Sequence, residues 1–268
     1  MSRKLEINYG LMLAEKDYAF LTVRTSSTRL PAKCFLPFGQ SHVLDYVVKR
    51  AVKANFIPIV CTSTESSDNE IESYCKMNEV KYYRGPLENK LQRWFECANS
   101  FKVEYFHTID VDDPFFDPFQ VSESLALLKS EELDVVYPTK KSSSGGASVG
   151  YSIRSNYLKK LLRDSQYLTS AEMVDVIFDN FDETKSKVLV SSASEIDSVR
   201  LTLDYEEDYW LLITILRICG ENCTRGEIIK LFMENPELHK VNWFRNSDWA
   251  NKQSLSRMSS KDGKVTND

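Results

Sequence analysis

Between residues 18 and 109 the chain switches repeatedly between two hydrophobic spacings. Residues 18–24 (YAFLTVR) form a short apolar, β-prone run that predicts a strand. Val43, Leu44, Val47, Val48 and Ala51 then fall on one helical stripe. Residues 57–62 (IPIVCT) predict the next strand, with Pro58 near its start, where a missing amide donor is tolerated. Residues 68–78 predict a helix and residues 80–84 a short strand. Leu91, Trp94, Phe95 and Ala98 stand at i, i+3, i+4 and i+7, a helix with one buried face. Residues 103–109 predict a strand that runs into acidic residues.

Strands alternating with helices as far as about residue 130 predict parallel strands joined by crossover helices, an α/β fold. In such sheets ligands sit beyond the carboxyl ends of the strands, so the loops after Arg24, Thr62, Arg84 and Ile109 matter most. The second half is less regular. Strands are predicted at 134–138, 149–153 and 199–203, and a helix at 156–163. Tyr209, Leu212, Ile213 and Leu216 make a further helical stripe, and the Ser/Gly-rich residues 140–146 predict a flexible loop. Residues 1–16 carry no clear period and are expected to be an extension. Residues 17–252 are expected to form one domain, and 253–268 a polar, disordered tail.

Composition narrows the function classes. The 268 residues are 42% apolar and 27% charged, ordinary for a globular protein. The most apolar stretch, 209–218, is far short of a membrane span, and the first ten residues lack the apolar core of a secretory signal. A net charge of −5 argues against a nucleic-acid binder. The six cysteines form no CxxC, and with three histidines no zinc spacing arises. Scattered thiols fit a reducing cytoplasm.

Three stretches carry chemistry. Residues 24–33 (RTSSTRLPAK) place Arg24, Arg29 and Lys33 among the hydroxyls of Thr25, Ser26, Ser27 and Thr28, at the end of the first strand. Hydroxyls and amides cradle phosphate oxygens, a guanidinium grips two oxygens at once, and an ammonium adds a point charge. The plainer alternative is a solvated basic loop. Neither GxxxxGK[ST] nor GxGxxG occurs. In the second stretch, Asp110, Asp112 and Asp113 bring three carboxylates into four residues, a repulsion that a divalent cation such as Mg²⁺ relieves. Asp117-Pro118 just beyond reads as a helix start. In the third, Asp204 ends a predicted strand and is either an N-cap or a metal ligand, while Glu206, Glu207 and Asp208 suit a helix's first turn.

RTSSTRLPAK resembles the R-x-x-S-T-R-L-P-G-K signature of the cytidylyltransferases that activate acidic sugars, of which the 3-deoxy-manno-octulosonate enzymes are best known. It is most similar to the related group associated with spore-coat polysaccharide biosynthesis. Further pieces follow in the same order. FGQSHVLDYVVKR resembles G-x-P-[LV]-[IL]-x-x-V-x-x-R, with His42 where the family usually has Pro. The stretch from IVCTST to NKLQRW, DDPF at 112–115 and VRLTLDYEEDYWLL at 199–212 also match. The resemblance covers roughly residues 17–253.

The resemblance implies a three-layer, Rossmann-like nucleotide-diphospho-sugar transferase fold with a mainly parallel sheet and a smaller inserted acceptor and dimerisation region. It implies transfer of CMP from CTP to an acidic sugar, release of pyrophosphate, and a homodimer. Arg24, Arg29 and Lys33, with Ser26, Ser27 and Thr28 beside them, would bind the triphosphate. Asp112 and Asp204 would hold Mg²⁺, with Asp110 as an extra ligand. Thr62, Arg84 and Asn89 would meet the base. Ala32 stands where the family has Gly, and its Cβ predicts a negative φ. His42 is expected to start a helix rather than take part in chemistry. Two other readings stay open: a glycosyltransferase using Asp110-Val111-Asp112 as a DxD, and a nucleotide-binding protein of this fold without turnover.

Overall fold

The computed structural model describes residues 16–139, 150–163, 174–179, 184–190 and 199–251. β1 (Tyr18–Thr22) leads through a loop and a 3-10 turn to a small ribbon, β2 (Pro37–Phe38) and β3 (Ser41–His42). There follow α1 (Val43–Lys53), β4 (Ile57–Ser63), α2 (Asn69–Met77), β5 (Lys81–Gly85), α3 (Lys90–Phe101) and β6 (Tyr105–Asp110). The second half holds α4 (Pro118–Ser130), β7 (Val135–Tyr137), β8 (Ser152–Arg154), α5 (Ser155–Arg163), α6 (Val174–Asp179) and β9 (Ser186–Val188). α7 (Glu206–Cys219), α8 (Arg225–Glu234) and a 3-10 turn at Pro236–Val241 come last.

Helix starts follow local chemistry. His42 caps α1 by accepting the Asp45 amide on Nδ1 at 3.2 Å, the helix-starting role expected of it. Asn89 caps α3 and Asp117 caps α4, where Pro118 occupies the first turn and sacrifices no bonded amide. Thr224 and Glu227 form a reciprocal capping box on α8.

The main sheet runs β5-β4-β1-β6-β8-β7-β9. β5, β4, β1 and β6 are parallel, while β8 is antiparallel to both β6 and β7. Side chains alternate across the sheet with the period of two that extended backbone imposes. Ala19, Leu21 and Val60 face α1, α2, α4, α7 and α8, whereas Phe20, Ile59 and Phe106 face α3, α5 and α6. The result is three layers with a core on each side, and Phe20 stacks on Phe106 at 4.0 Å between ring centroids.

Residues 199–203 correct the reading of a strand there. Leu201 and Leu203 are buried, but the segment joins no ladder; the Leu203 amide donates to the Asp112 carbonyl at 2.7 Å. Its apolar alternation is satisfied by packing on the core rather than by pairing. α6, α8 and β9 were not anticipated. Of the extension expected at 1–16, residues 1–15 lie outside the described residues, as do the loop expected at 140–146 and the tail expected at 253–268. All six cysteines are free, and only Cys219 among them is not buried.

Candidate active site

β1 and β6 are neighbours in parallel register, with Thr22 opposite Asp110, so their following loops leave the same sheet edge. The loop after β1 is held by Asp68, a buried residue for which the sequence carried no signal. Its Oδ1 accepts the Thr25 amide and hydroxyl, each at 2.8 Å. Its Oδ2 accepts Thr62 Oγ1 at 3.0 Å, the Ser63 amide at 3.1 Å and Ser63 Oγ at 2.5 Å. Burial alone would raise its pKa, but the bonds from Ser63, Thr25 and Thr62 outweigh burial and hold it below the usual carboxylate value.

The residues expected to meet a nucleotide base have structural partners. Thr62 serves Asp68, and Asn89 accepts the Gln92 amide at 2.9 Å. Arg84 pairs with Glu72, donates to the Ser63 carbonyl at 2.8 Å and the Glu65 carbonyl at 2.7 Å, and reaches Asn69. In the loop itself Arg24, Ser26 and Thr28 are exposed at the end of β1, and Ser27 Oγ accepts the Leu30 amide at 3.4 Å.

Lys33, Arg29, Asp112 and Asp204 come together. Lys33 Nζ donates to Asp112 Oδ2 at 2.7 Å, to Asp204 Oδ1 at 3.0 Å and to the Leu203 carbonyl at 2.7 Å. Arg29 Nη2 meets Asp204 Oδ1 at 2.5 Å, and its guanidinium lies 5.5 Å from the centroid of the Tyr205 ring. Burial disfavours the Lys33 charge, yet the two carboxylates more than offset it and raise its pKa. Asp204 is buried, but Lys33 and Arg29 hold its pKa below the usual value. Asp112 moves the other way: burial, with Asp110 and Asp204 nearby, raises it against the pull of Lys33.

What positions Asp204 is a second buried network. Arg200, fully buried, pairs with both oxygens of Asp208 at 2.8 and 2.9 Å, and reaches Asp204 Oδ2 at 3.4 Å. Asp208 Oδ2 also accepts the Asp204 and Tyr205 amides at 2.9 and 3.0 Å. Asn242 closes the network, donating to Asp208 Oδ1 at 2.9 Å and to the Arg200 carbonyl at 3.0 Å. Asp208 is structural as expected, but as an organising centre rather than as one of several first-turn acids.

Asp110 lies near Asp112 but takes another partner. It pairs with Lys90 at 2.9 Å, whose ammonium lies 5.1 Å from the Trp94 ring centroid. The two acids of the DxD therefore hold different lysines. Among the described residues no three His, Cys, Asp or Glu side chains converge as a metal-ligand set. Asp113 is buried, its pKa pushed well up by burial and by Asp112.

The sequence profile of the cytidylyltransferase family matches residues 19–208, well over half of the chain. The chain belongs to the cytidylyltransferase family. It is similar to the Bacillus subtilis spore coat polysaccharide biosynthesis protein SpsF, at 24% identity over 231 residues, covering 81% of this chain and 94% of that protein. Among solved structures it resembles a cytidylyltransferase from Leptospira borgpetersenii, with TM-score 0.72 at 20% identity over 83% of this chain and 96% of the other. It also resembles a CMP:2-keto-3-deoxy-manno-octonic acid synthetase solved with CTP, with TM-score 0.60 at 13% identity, covering 76% and 99%. These likenesses give the fold as that of the nucleotide-diphospho-sugar transferases, as the resemblance implied.

The negative φ expected at Ala32 is corrected by the structure. Ala32 adopts φ 50° and ψ 28°, the left-handed region. Its amide donates to the Thr25 carbonyl at 3.3 Å and its carbonyl accepts the Phe35 amide at 2.9 Å. These turn bonds fix the backbone, against a Cβ cost of about 1 kcal/mol.

Proposed function

We propose that the protein transfers CMP from CTP to a hydroxyl of an acidic sugar and releases pyrophosphate, in a Mg²⁺-dependent reaction. The observation that carries this reading is the meeting of Lys33 with Asp112 and Asp204, which joins the cationic loop after β1 to two acids at the same sheet edge. The family membership and the likeness to a CTP-bound synthetase support it.

Two carboxylates that share one ammonium are a donor pair whose chemistry fits a divalent cation. Mg²⁺ commonly takes one or two carboxylates and completes its shell with waters and substrate phosphates. Asp112 and Asp204 would hold it; Asp110, paired with Lys90, stands outside. When bound, Mg²⁺ supplies positive charge to the phosphate oxygens. Lys33 and Arg29 then turn from the carboxylates to the triphosphate, and the exposed Arg24, Ser26 and Thr28 line its path. The acceptor oxygen bonds to the α-phosphorus as the bond to the β-phosphate bridge breaks, and a proton is released. Arg29 and Lys33 offset the charge that grows on the departing pyrophosphate.

The test is pyrophosphate release with Mg²⁺, comparing CTP with ATP, UTP and GTP across a panel of acidic sugars. Release that needs CTP and one sugar acid supports the reading. Release that prefers another nucleotide, or CTP binding by calorimetry without turnover on any sugar acid, overturns it. The same reading makes the protein a cytoplasmic homodimer, and a monomer by light scattering at working concentration would remove the dimer. No described helix is long and apolar enough to cross a membrane.

A further inference from the structure

Away from the Lys33 cluster, α1 and the starts of α4 and α8 line an open-sided cavity of about 880 Å³. That volume suits a small organic ligand. None of Arg29, Lys33, Asp112 and Asp204 lines it. Its walls include the apolar Phe38, Tyr46, Pro118 and Ile229. Phe119 also lines it and leaves 61% of its surface exposed.

Arg50 lines this cavity and is only 9% exposed. Its Nε donates to the Phe116 carbonyl at 3.0 Å, and its Nη1 to the Cys223 carbonyl at 3.1 Å and the Tyr46 hydroxyl at 3.5 Å. Every one of these partners is neutral. Among the described residues no carboxylate pairs with Arg50, and Nη2 has no hydrogen-bond partner. A buried guanidinium without a counter-ion is costly, and proteins normally pair such charges. Lys53 adds a second cation, bonded to the neutral Asn222 Oδ1 at 2.7 Å. Two of the three acids of the cavity are engaged elsewhere. Asp45 serves Tyr74 and Lys49, Asp117 caps α4, and Glu221 lays its carboxylate against Gly39.

We propose that this cavity binds a small aromatic anion, with its carboxylate or phosphate head on Arg50 and Lys53 and its ring on Phe119. A charge-assisted bond to the guanidinium orients the head, and the apolar walls accept the body. The site is separate from the proposed reaction and does not depend on it.

Anilinonaphthalene sulfonate, an aromatic anion with strong fluorescence in apolar sites, is the probe. Titration of the full chain should show one saturable site, displaced by phenyl phosphate or phenylacetate but not by benzyl alcohol. Whichever of the two anions displaces better identifies the head group. CTP should leave the probe bound. Arg50→Gln should weaken binding by roughly tenfold or more, the scale of a lost charged hydrogen bond. Ala54→Phe leaves the bonds of Arg50 in place and puts a ring into the cavity, so it should weaken saturable binding, as should Lys53→Glu. If Arg50→Gln does not fold, Ala54→Phe and Lys53→Glu decide. Unsaturable binding, displacement by CTP or equally by benzyl alcohol, or wild-type affinity in Ala54→Phe would overturn the proposal.

Discussion

Lys33 and Asp204 are 171 positions apart in the chain, and their side chains meet at 3.0 Å. The contact exists because the Asp112 carbonyl accepts the Leu203 amide, which pins the segment before α7 against the loop after β6. Asp112 and Asp204 thereby face one ammonium. Asp204→Asn and Asp112→Asn keep the side-chain shape and remove the charge. Each should lower kcat by about 10² to 10³, the range seen when a group that stabilises transition-state charge is lost. Circular dichroism should show the fold retained, and a variant with near-wild-type turnover would take that residue out of the site.

Asp68 accepts five hydrogen bonds, two of them from amides. Asp68→Asn puts a donor where donors already converge and should cost about 2–3 kcal/mol at neutral pH. The folded pKa of Asp68 is depressed, so its contribution is present above the unfolded pKa of about 3.9 and is lost as pH falls through the folded value. Urea midpoints of the two proteins should therefore keep their separation from neutral pH down to about pH 4 and draw together only as pH falls below that. A gap that stays constant with pH would show that the ionised form of Asp68 is not what holds the loop.

Ala32 sits in the left-handed region, where a Cβ is strained and a β-branched side chain more so. Ala32→Gly relieves that strain but frees the unfolded chain, so stability should stay within about 1 kcal/mol of wild type. Ala32→Val should lose about 1–2 kcal/mol or more. Equal thermal midpoints for Val and Gly would contradict the left-handed turn.

Gly150 has φ +83°, and a Cβ there would lie 1.8 Å from the Thr108 carbonyl oxygen. The close approach serves the pairing of β6 with the chain entering β8, where the Thr108 amide donates to the Tyr151 carbonyl at 2.8 Å and the Tyr151 amide to Thr108 Oγ1 at 2.9 Å. Gly150→Ala should cost about 3 kcal/mol, from strain and overpacking together. Denaturant unfolding measures it, and a loss under about 1 kcal/mol would mean the two segments can separate without penalty.

The alternating half of the fold was legible because each of its signals is local. The α1 stripe, the period of β1 and the cap at His42 need only a few neighbouring residues. The signature loop and the two acids were legible through ordered motifs. What escaped depends on distant partners. Asp68 reads as one more polar residue until Thr25 arrives from 43 positions away. Asp110 reads as a companion of Asp112 until Lys90, 20 positions back, takes it. Residues 199–203 carry strand-like alternation that packing, not pairing, explains. α8 could have been found: Thr224 and Glu227 stand in capping-box spacing just before an apolar run.

Asn242 and Arg245 tie the far end of the described chain to carboxylates in the first turn of α7, with Arg245 bonding both oxygens of Glu207 at 2.8 and 3.0 Å. On the ribosome these residues emerge after β1–β6 and after α7. Synthesis at about 5–20 residues per second leaves the β1–β6 scaffold waiting seconds for them. During that interval Lys33 has Asp112 but not Asp204, and Arg200 is made before the Asp208 that neutralises it. The nascent chain can thus assemble its cationic loop early, but it gains the charges that balance that loop only after the segment through Asp208 has been made.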